Sequence, residues 1–254
     1  MKQTTSTLLM IQPAAFFFNE ETAENNYYQD ASKAVAKTSS QELALKEFNE
    51  FVDLLRANHI QVIVVPDLVE NQTPDSIFPN NWVSFHENGH VFLYPMYAKS
   101  RRKERRPEIL DQVQNSGFSI STITDLSFTE NDGLYLEGTG SMIFDRANQI
   151  AYAARSIRTD ENLFNRYCES IGYQPVVFSS FQTVEQKRLP IYHTNVMMCV
   201  ADRYAVICLS CIDDADERSM VRNQLEKSGK TIIEISEEQV NQFAGNMLQV
   251  ENEM

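Results

Sequence analysis

Apolar and polar positions along the chain follow one repeating order: two short apolar runs joined by a turn, an amphipathic segment, and a third apolar run. Short apolar runs bounded by turn residues predict β-strands, and apolar residues at helical spacing predict a helix. The order occurs three times, with hairpins that begin near residues 81, 141 and 196. The pattern therefore predicts three ββαβ units with a period of roughly 55 to 60 residues.

Turn and cap residues mark the limits of these units. Asn88-Gly89 is typical of a tight hairpin turn, and Gly172 and Gly229 stand where helices commonly end. In the order strand, strand, helix, strand, the first unit is predicted at 82–85, 91–94, a helix between Pro107 and Gly117, and 118–123. The second unit is predicted at 141–144, 149–153, 159–170 and 175–178. The third unit is predicted at 196–200, 205–209, 214–227 and 231–235.

An incomplete unit precedes these three, with a strand at 8–12, a helix at 41–58 and a strand at 60–65. A further unit is predicted to open at 244–250, shortly before Met254. Long repeats of this kind indicate a ring or a solenoid, since no unit buries its apolar face alone. The predicted fold is α/β, with ββαβ units that form a single domain over residues 1–254. We expect a ring that is incomplete, with its last unit and ring-closing strand beyond Met254.

Composition narrows the classes of function. A net charge of -13 argues against a nucleic-acid partner, because such proteins need basic surfaces, and the basic segment 99–106 has no interleaved aromatic residues. No run approaches the ~20 apolar residues that span a membrane. Four cysteines without disulfide spacing predict a cytoplasmic protein. No metal cluster or nucleotide loop is recognisable, so no cofactor is expected; the sequence leaves a homo-oligomer open.

Polar residues occur at the same place in every unit, just before the hairpin. These segments are 75–81, 136–140 and 192–195. In a ring, equivalent positions converge, so the sequence predicts one pocket that contains a carboxylate, an imidazole and several amides. Taken singly, a histidine before a strand is usually a core or loop residue, and paired asparagines usually form turns. Their coincidence in phase favours a site.

Several of these segments resemble motifs of one known family. Glu137-Gly138 resembles a Glu-Gly-Gly-Asp element, His193-Thr194-Asn195 a His-x-Asp element, and the segment 156–159 a Ser-x-Arg-Thr element, while 100–104 is similar to a substrate-binding arginine stretch. The chain thus resembles the guanidino-group-modifying (pentein) superfamily, which shares a five-bladed ββαβ propeller. Within it, the amidinotransferase-like branch proposed to hydrolyse citrulline is the most similar, through segments 10–13, 18–23, 75–82 and 244–247.

The resemblance implies a small guanidino or ureido amino acid as the ligand and a role for each candidate residue. In that family a cysteine thiolate attacks the central carbon of the group, so His193 would shuttle protons and Glu137 would bind substrate nitrogens. Arg158, with Arg101 or Arg102, would hold the substrate α-carboxylate. The remaining substrate-binding candidates are Asp75, Asn80, Asn81 and Asn195.

Two departures from the family pattern refine this expectation. Asn81 and Asn195 stand where arginine-processing members often have aspartate, and an amide can both donate to and accept from a neutral ureido group. This favours a citrulline-like substrate over arginine, with an amidinotransferase or an arginine deiminase or dihydrolase as alternatives. The basic segment 100–106 has a second interpretation, as the solvated start of a helix.

The second departure concerns the nucleophile, which the family carries in a glycine-rich segment near its C-terminus. Cys199 and Cys208 lie in apolar contexts typical of core residues, and Cys168 lies within a predicted helix. Cys208 and Cys211 form a CxxC sequence without a second pair, which we interpret as incidental. The expected thiol is therefore absent from these residues, and a non-catalytic binding protein or a truncated remnant is the alternative to an enzyme.

Overall fold

The computed structural model describes residues 1–28 and 37–251. They form two compact units. The N-terminal unit contains the described residues of Thr5–Leu126 with Val250 and Glu251, and the C-terminal unit contains Met1–Thr4 and Ser127–Gln249. The single domain predicted from the sequence stays a prediction.

A parallel two-stranded sheet begins the N-terminal unit. Strand β1 (Thr7–Gln12) pairs with β2 (Gln61–Pro66), with Thr7 opposite Gln61. Helices α1 (Glu20–Ala23) and α2 (Lys37–Ala57) lie between the two strands in the chain. Val52 of α2 packs with Val62 of β2 in one apolar cluster. The strand, helix and strand predicted for the incomplete first unit are confirmed, with α2 beginning earlier than expected.

The first complete ββαβ unit follows. Strands β3 (Val83–Phe85) and β4 (His90–Leu93) form an antiparallel hairpin, and β5 (Thr122–Asp125) pairs in parallel with β4. The connection contains α3 (Pro107–Asn115), which buries Ile109, Leu110 and Val113 in the core that also contains Val83 and Val91. One face of this sheet is thus covered by its own crossover helix.

Strand β5 begins four residues later than predicted, at Thr122 instead of Phe118. The hairpin turn explains the shift, because Gly89 has a φ of 80° and a Cβ atom there would lie 2.5 Å from the carbonyl oxygen of Ser119. The chain therefore crosses close over the turn before it joins the sheet. Phe118 packs edge-on against Phe85, with ring centroids 5.5 Å apart.

The C-terminal unit contains the other two ββαβ units. In both, the middle strand is antiparallel to the first strand and parallel to the third. The first of them consists of α4 (Gly138–Ser141), β6 (Met142–Asp145), β7 (Ile150–Arg155), α5 (Glu161–Ile171) and β8 (Gln174–Ser179). A hairpin of β9 (Phe181–Val184) and β10 (Lys187–Pro190) follows. The second consists of β11 (Met198–Val200), β12 (Tyr204–Ile207), α6 (Ala215–Lys227) and β13 (Thr231–Glu234), and α7 (Glu237–Val240) comes after it. The predicted repeat is confirmed.

Local sequence explains where the long helices of this unit begin and end. The Asp160 carboxylate accepts a hydrogen bond from the Leu163 N–H, and the Asp214 carboxylate caps α6 in the same way. Gly172 ends α5 in the left-handed conformation, with φ 72°. The sequence predicted the end of α5 at Gly172 and the start of α6 near Asp214, but it placed the start of α5 near residue 159.

The hairpin β9–β10 was not predicted. Its turn residues, Glu185 and Gln186, both have positive φ, 47° and 68°, without the Gly or Asn that usually marks such a turn. The hairpin has no counterpart between β5 and β6 in the described residues, and it leads directly to His193.

The prediction of a new unit opening at 244–250 stays a prediction. Residues 241–245 form turns after α7, and 246–250 form no strand. Gly245 lies so close to the backbone of Val196 and Met197 that a Cβ atom would meet the Val196 oxygen at 2.7 Å. The segment thus packs along the unit instead of pairing as a strand, and Met254 lies outside the described residues.

The strands of the described ranges form five separate small sheets, none of them closed. The mixed α/β class is confirmed, whereas the five-fold ring and its incompleteness stay predictions. No helix within residues 1–28 and 37–251 combines the length and hydrophobicity that a membrane crossing requires.

Candidate active site

A short helical turn precedes the first strand of each ββαβ unit. The three turns are Pro79–Asn81 before β3, α4 before β6, and Thr194–Val196 before β11. Each polar segment singled out in the sequence leads into one of them. Their shared phase in the repeat is therefore confirmed by the local structure.

Glu137 and His193 meet in the C-terminal unit. Nε2 of His193 lies 2.7 Å from Oε2 of Glu137, and the two side chains are 5% and 0% exposed. Glu137 immediately precedes α4, and His193 immediately precedes the Thr194–Val196 turn. Since a carboxylate only accepts hydrogen bonds, the proton of this contact is assigned to Nε2. The other ring nitrogen, Nδ1, remains as the atom able to exchange a proton.

Arg158 supplies a fixed positive charge to the same carboxylate. Its Nη1 lies 3.5 Å from Oε2 of Glu137, and its side chain is 2% exposed. The guanidinium stacks over the ring of Tyr192 at 4.8 Å, and that ring lies 4.6 Å from the ring of His193. A buried carboxylate needs such compensation, because removing it from water costs several kcal/mol. Glu137 is thus held between one permanent cation and one group that can change its charge.

Hydroxyl groups fasten the segments that carry these residues. Ser141 accepts a hydrogen bond from the Glu137 N–H at 3.0 Å and donates to the Arg158 carbonyl at 2.9 Å. Thr194 donates to the Ser141 carbonyl at 2.6 Å and accepts from the Ala154 N–H at 2.8 Å. These contacts join residues far apart in the sequence, and sequence reasoning missed both hydroxyls because Ser and Thr in short turns are common.

A second hydroxyl contact positions Arg158 relative to its aromatic neighbour. Ser156 accepts a hydrogen bond from the Arg158 N–H at 3.1 Å and donates to the Tyr192 carbonyl at 2.8 Å. The Ser-x-Arg-Thr segment therefore acts partly through its serine. Asn195 is half-buried in the turn that follows His193.

The N-terminal unit contains a different buried cluster, centred on Arg101. Nε and Nη2 of Arg101 each donate to one carboxylate oxygen of Glu104, both at 2.9 Å, and Nη1 donates to Oδ1 of Asn81 at 2.7 Å. Nη2 also donates to the carbonyl oxygens of Asp75 and Phe78. The interpretation of this segment as a solvated helix start is wrong for Arg101 and Glu104, whose side chains are 3% and 1% exposed.

Asp75 joins this cluster from the loop before β3. Its Oδ2 accepts hydrogen bonds from Asn19 Nδ2 at 2.7 Å and from Thr22 Oγ1 at 3.1 Å, and lies 4.0 Å from Nε of Arg101. Asn80 is half-buried in the same loop. Arg102 is half-buried, and its Nε donates to the Met96 carbonyl.

Glu21 of α1 holds the start of the 3₁₀ turn Ser100–Glu104. Its carboxylate accepts hydrogen bonds from the N–H groups of Lys99 and Ser100 and from the Ser100 hydroxyl. Burial raises the pKa of Glu21, but these bonds outweigh it and hold the pKa below its ordinary value of 4.5. The sequence offered only the resemblance of segment 18–23 as a signal for this role.

The cysteines and the acidic residues offer little for metal binding. Within the two described ranges, no group of three or more His, Cys, Asp or Glu side chains could hold a metal ion. All four cysteines are buried and unbridged. Burial raises the pKa of Cys168 to about 12 and also raises the pKa of Cys199, so that both remain protonated near neutrality.

The fold and these motifs define a member of the guanidino-group-modifying, or pentein, superfamily. The family model of eukaryotic N,N dimethylarginine dimethylhydrolase matches residues 12–254, and the chain belongs to that family. No curated protein sequence matches the chain.

Solved structures share the fold at low sequence identity. An arginine dihydrolase from the ornithine-ammonia cycle in cyanobacteria, ArgZ, is 20% identical with a TM-score of 0.71, over 96% of this chain and 33% of that one. The N-terminal domain of ArgZ alone is 19% identical with a TM-score of 0.69, over 94% of this chain and 79% of that one. A DDAH from Pseudomonas aeruginosa is 13% identical with a TM-score of 0.56, over 92% of this chain and 93% of that one. The chain thus spans about a third of full-length ArgZ.

Proposed function

We propose that this protein is a C–N hydrolase that acts on the guanidino or ureido group of a small amino acid, with a citrulline-like substrate favoured over arginine. The observation that carries the proposal is the buried contact between His193 and Glu137 beside Arg158. A desolvated carboxylate that orients an imidazole is the arrangement that proton transfer requires.

The proton steps follow from the orientation of His193. Nucleophilic attack on the central carbon expels an amine, which must gain a proton as it leaves. With Nε2 committed to Glu137, Nδ1 is the atom that delivers this proton and later takes one from the water that hydrolyses the covalent adduct. In agreement with such chemistry, ArgZ has been solved covalently bound to a reaction intermediate, and a Cys-to-Ser mutant of it with substrate.

The surroundings of Asn81 support the preference for a ureido group. Its Oδ1 already accepts a hydrogen bond from Arg101, so what Asn81 offers a ligand is its amide N–H groups. A ureido oxygen accepts such bonds, whereas a guanidinium has donors only. Asp75 is a less effective cation partner than its charge indicates, because its Oδ2 is engaged by Asn19 and Thr22.

The arginines divide between structure and ligand binding in this proposal. Arg101 donates hydrogen bonds to Glu104, to Asn81 and to two carbonyl oxygens. Because these contacts occupy the Arg101 guanidinium, they favour Arg102 as the partner of a substrate carboxylate in the N-terminal unit. Arg158 has a dual role: it balances the charge of Glu137 and, by resemblance, binds the substrate carboxylate.

The attacking thiol is, in this proposal, none of the four cysteines of the sequence. All four are buried, raised pKa values keep Cys168 and Cys199 protonated, and Cys208 and Cys211 lie in the turn after β12, outside the polar segments that precede the hairpins. The same observation favours one alternative, a binding protein that keeps the ligand contacts without catalysis. The enzyme and the binding protein can be distinguished with the gene product isolated from its native source. An enzyme releases ammonia from citrulline, whereas a binding protein does not.

The experiment is calorimetry of the purified 254-residue chain with citrulline, arginine and N,N-dimethylarginine, together with assays for ammonia and dimethylamine. We expect citrulline to bind at least about tenfold more tightly than arginine, a difference of ~1.4 kcal/mol, without amine release. Glu137→Gln weakens binding, and Lys46→Ala, an exposed residue of α2, leaves it unchanged. Tighter binding of arginine reverses the assigned preference, amine release refutes the exclusion of the four cysteines, and no binding refutes the site.

A further inference from the structure

Two cysteines lie together in the turn that follows β12. Cys208 precedes a 3₁₀ turn, Leu209–Cys211, and the N–H of Cys211 donates to the carbonyl of Cys208 at 3.2 Å. A turn closed by such a bond brings its first and last Cα atoms within about 7 Å. Disulfides span Cα separations of roughly 4.4–6.8 Å, so the backbone already has the right reach.

The two thiols are chemically unequal. The Sγ of Cys208 lies 3.3 Å from Oγ of Ser210. Hydrogen bonds from the side chain of Cys211, from Ser210 and from the Cys211 N–H outweigh burial and lower the pKa of Cys208, while the same contact with Cys208 raises the pKa of Cys211. Glu237 opposes ionisation of both. The donors around Cys208 thus favour its ionised form over that of Cys211.

We propose that Cys208 and Cys211 are a reversible oxidation site, in which Cys208 attacks a small peroxide-class oxidant and Cys211 resolves the product as a disulfide. The interpretation of this CxxC as incidental is thereby replaced. The proposal is independent of the ligand chemistry proposed for Glu137 and His193.

The steps balance with hydrogen peroxide as the oxidant. The Cys208 thiolate attacks one peroxide oxygen, the O–O bond breaks, and a sulfenic acid and hydroxide form. The Cys211 sulfur then attacks the Cys208 sulfur, the S–O bond breaks, and the Cys211 proton leaves with the hydroxyl group as water. Sulfur is oxidised, peroxide is reduced, and a dithiol returns the pair to its starting state.

The surroundings explain why a small oxidant fits and what the site touches. Both cysteines are buried, and Ser210, which lies between them in the turn, is exposed. The Ser210 carbonyl accepts a hydrogen bond from Arg188 of β10, which also pairs with Glu237. The turn is therefore fastened to the hairpin that leads to His193.

Peptide mass spectrometry tests the proposal on the whole folded chain. Cleavage after Arg and Lys leaves both cysteines in the single peptide 204–218, apart from Cys168 and Cys199. After brief exposure to hydrogen peroxide and blocking of free thiols, we expect this peptide to lose the mass of two hydrogen atoms, reversibly with dithiothreitol. Its oxidation should be at least about tenfold faster than that of Cys168 or Cys199, because only a thiolate reacts. Equal rates, or a link to Cys199, overturn the proposal.

Single variants separate the attacking sulfur from the resolving one. Cys211→Ser should accumulate a sulfenic acid at Cys208 that dimedone traps, whereas Cys208→Ser should leave Cys211 unoxidised. Ser210→Ala keeps both sulfurs and should slow oxidation several-fold, because one donor to the thiolate is lost. Cys168→Ser is the matched control and should oxidise like the parent chain. Trapping at position 211 instead of 208 contradicts the assignment.

Discussion

The N-terminal and C-terminal units each bury a glutamate against a basic side chain beside the turn that precedes a hairpin, yet the partners differ. Glu104 is gripped through both oxygens by Arg101, and Glu137 contacts His193. A guanidinium keeps its charge at any pH that a protein tolerates, whereas an imidazole changes charge near neutrality. The first cluster is therefore a fixed support and the second is able to move a proton. The residue that contacts the buried glutamate therefore decides what each cluster does.

The largest expected effect is in the N-terminal cluster. Arg101→Met leaves the buried carboxylate of Glu104 without its partner, and we expect a loss of about 3–5 kcal/mol in the free energy of unfolding. Arg158→Met should cost less, because His193 remains beside Glu137 and can bind a proton. Urea denaturation of both variants measures the difference.

Lys46→Ala serves as the control for these two variants. Lys46 and Glu50 form an exposed pair on α2, 3.8 Å apart, so we expect a change within about 0.5 kcal/mol. Equal losses for Arg101→Met and Arg158→Met contradict the distinction between the two clusters.

A double-mutant cycle measures the contact in the C-terminal cluster directly. The coupling energy between Glu137 and His193, measured with Glu137→Gln and His193→Asn, should be about 1–3 kcal/mol at pH 7. Both side chains are buried, so little water screens the contact.

The corresponding cycle in the N-terminal unit uses Glu104→Gln and Arg101→Met. Its coupling energy should be larger, because the guanidinium holds both carboxylate oxygens of Glu104. A coupling energy near zero between Glu137 and His193 removes the basis for assigning proton transfer to this cluster.

The smallest expected effect concerns Glu21, which supports the N-terminal cluster from outside. Its pKa is held below 4.5 in the folded protein, so its ionised form stabilises the fold above that pH, and this contribution disappears as the pH falls through the lowered value. We expect Glu21→Gln to lower the urea midpoint at pH 7 and to converge with the parent chain near pH 3. Glu20→Gln, an exposed neighbour, should match the parent at both pH values; a constant difference for Glu21→Gln contradicts the sign.

Much of the fold was predictable because its signals are local. Short apolar runs and turn residues located the hairpins of the three ββαβ units, and Gly172 gave the end of α5. The hairpin β9–β10 escaped because Glu185 and Gln186 adopt positive φ against their own preference. The start of β5 was misplaced because the close approach of Ser119 to Gly89 depends on how the chain crosses the turn.

The candidate site likewise contains some residues that the sequence predicted and others that it did not. The repeat phase identified Glu137 and His193 as partners before any distance was known, since equivalent positions of a repeat present equivalent groups. It gave no reason to expect Ser141 or Thr194, whose roles rest on contacts with residues remote in the chain, or Glu104, whose contact with Arg101 is three residues away. The neighbouring sequence does not show whether the hydroxyl of a Ser or Thr forms a structural hydrogen bond.

By itself the sequence determined the order of the elements, the location of the hairpins of the three ββαβ units and the residue types available for chemistry, because these depend on neighbours a few positions apart. Only the tertiary structure decided which side chains are buried together. It brought His193 to Glu137 across 56 positions of the chain, and it buried the local pairs of Arg101 with Glu104 and of Cys208 with Cys211. Burial sets the protonation and the strength of these contacts, and it arises only when distant segments pack together.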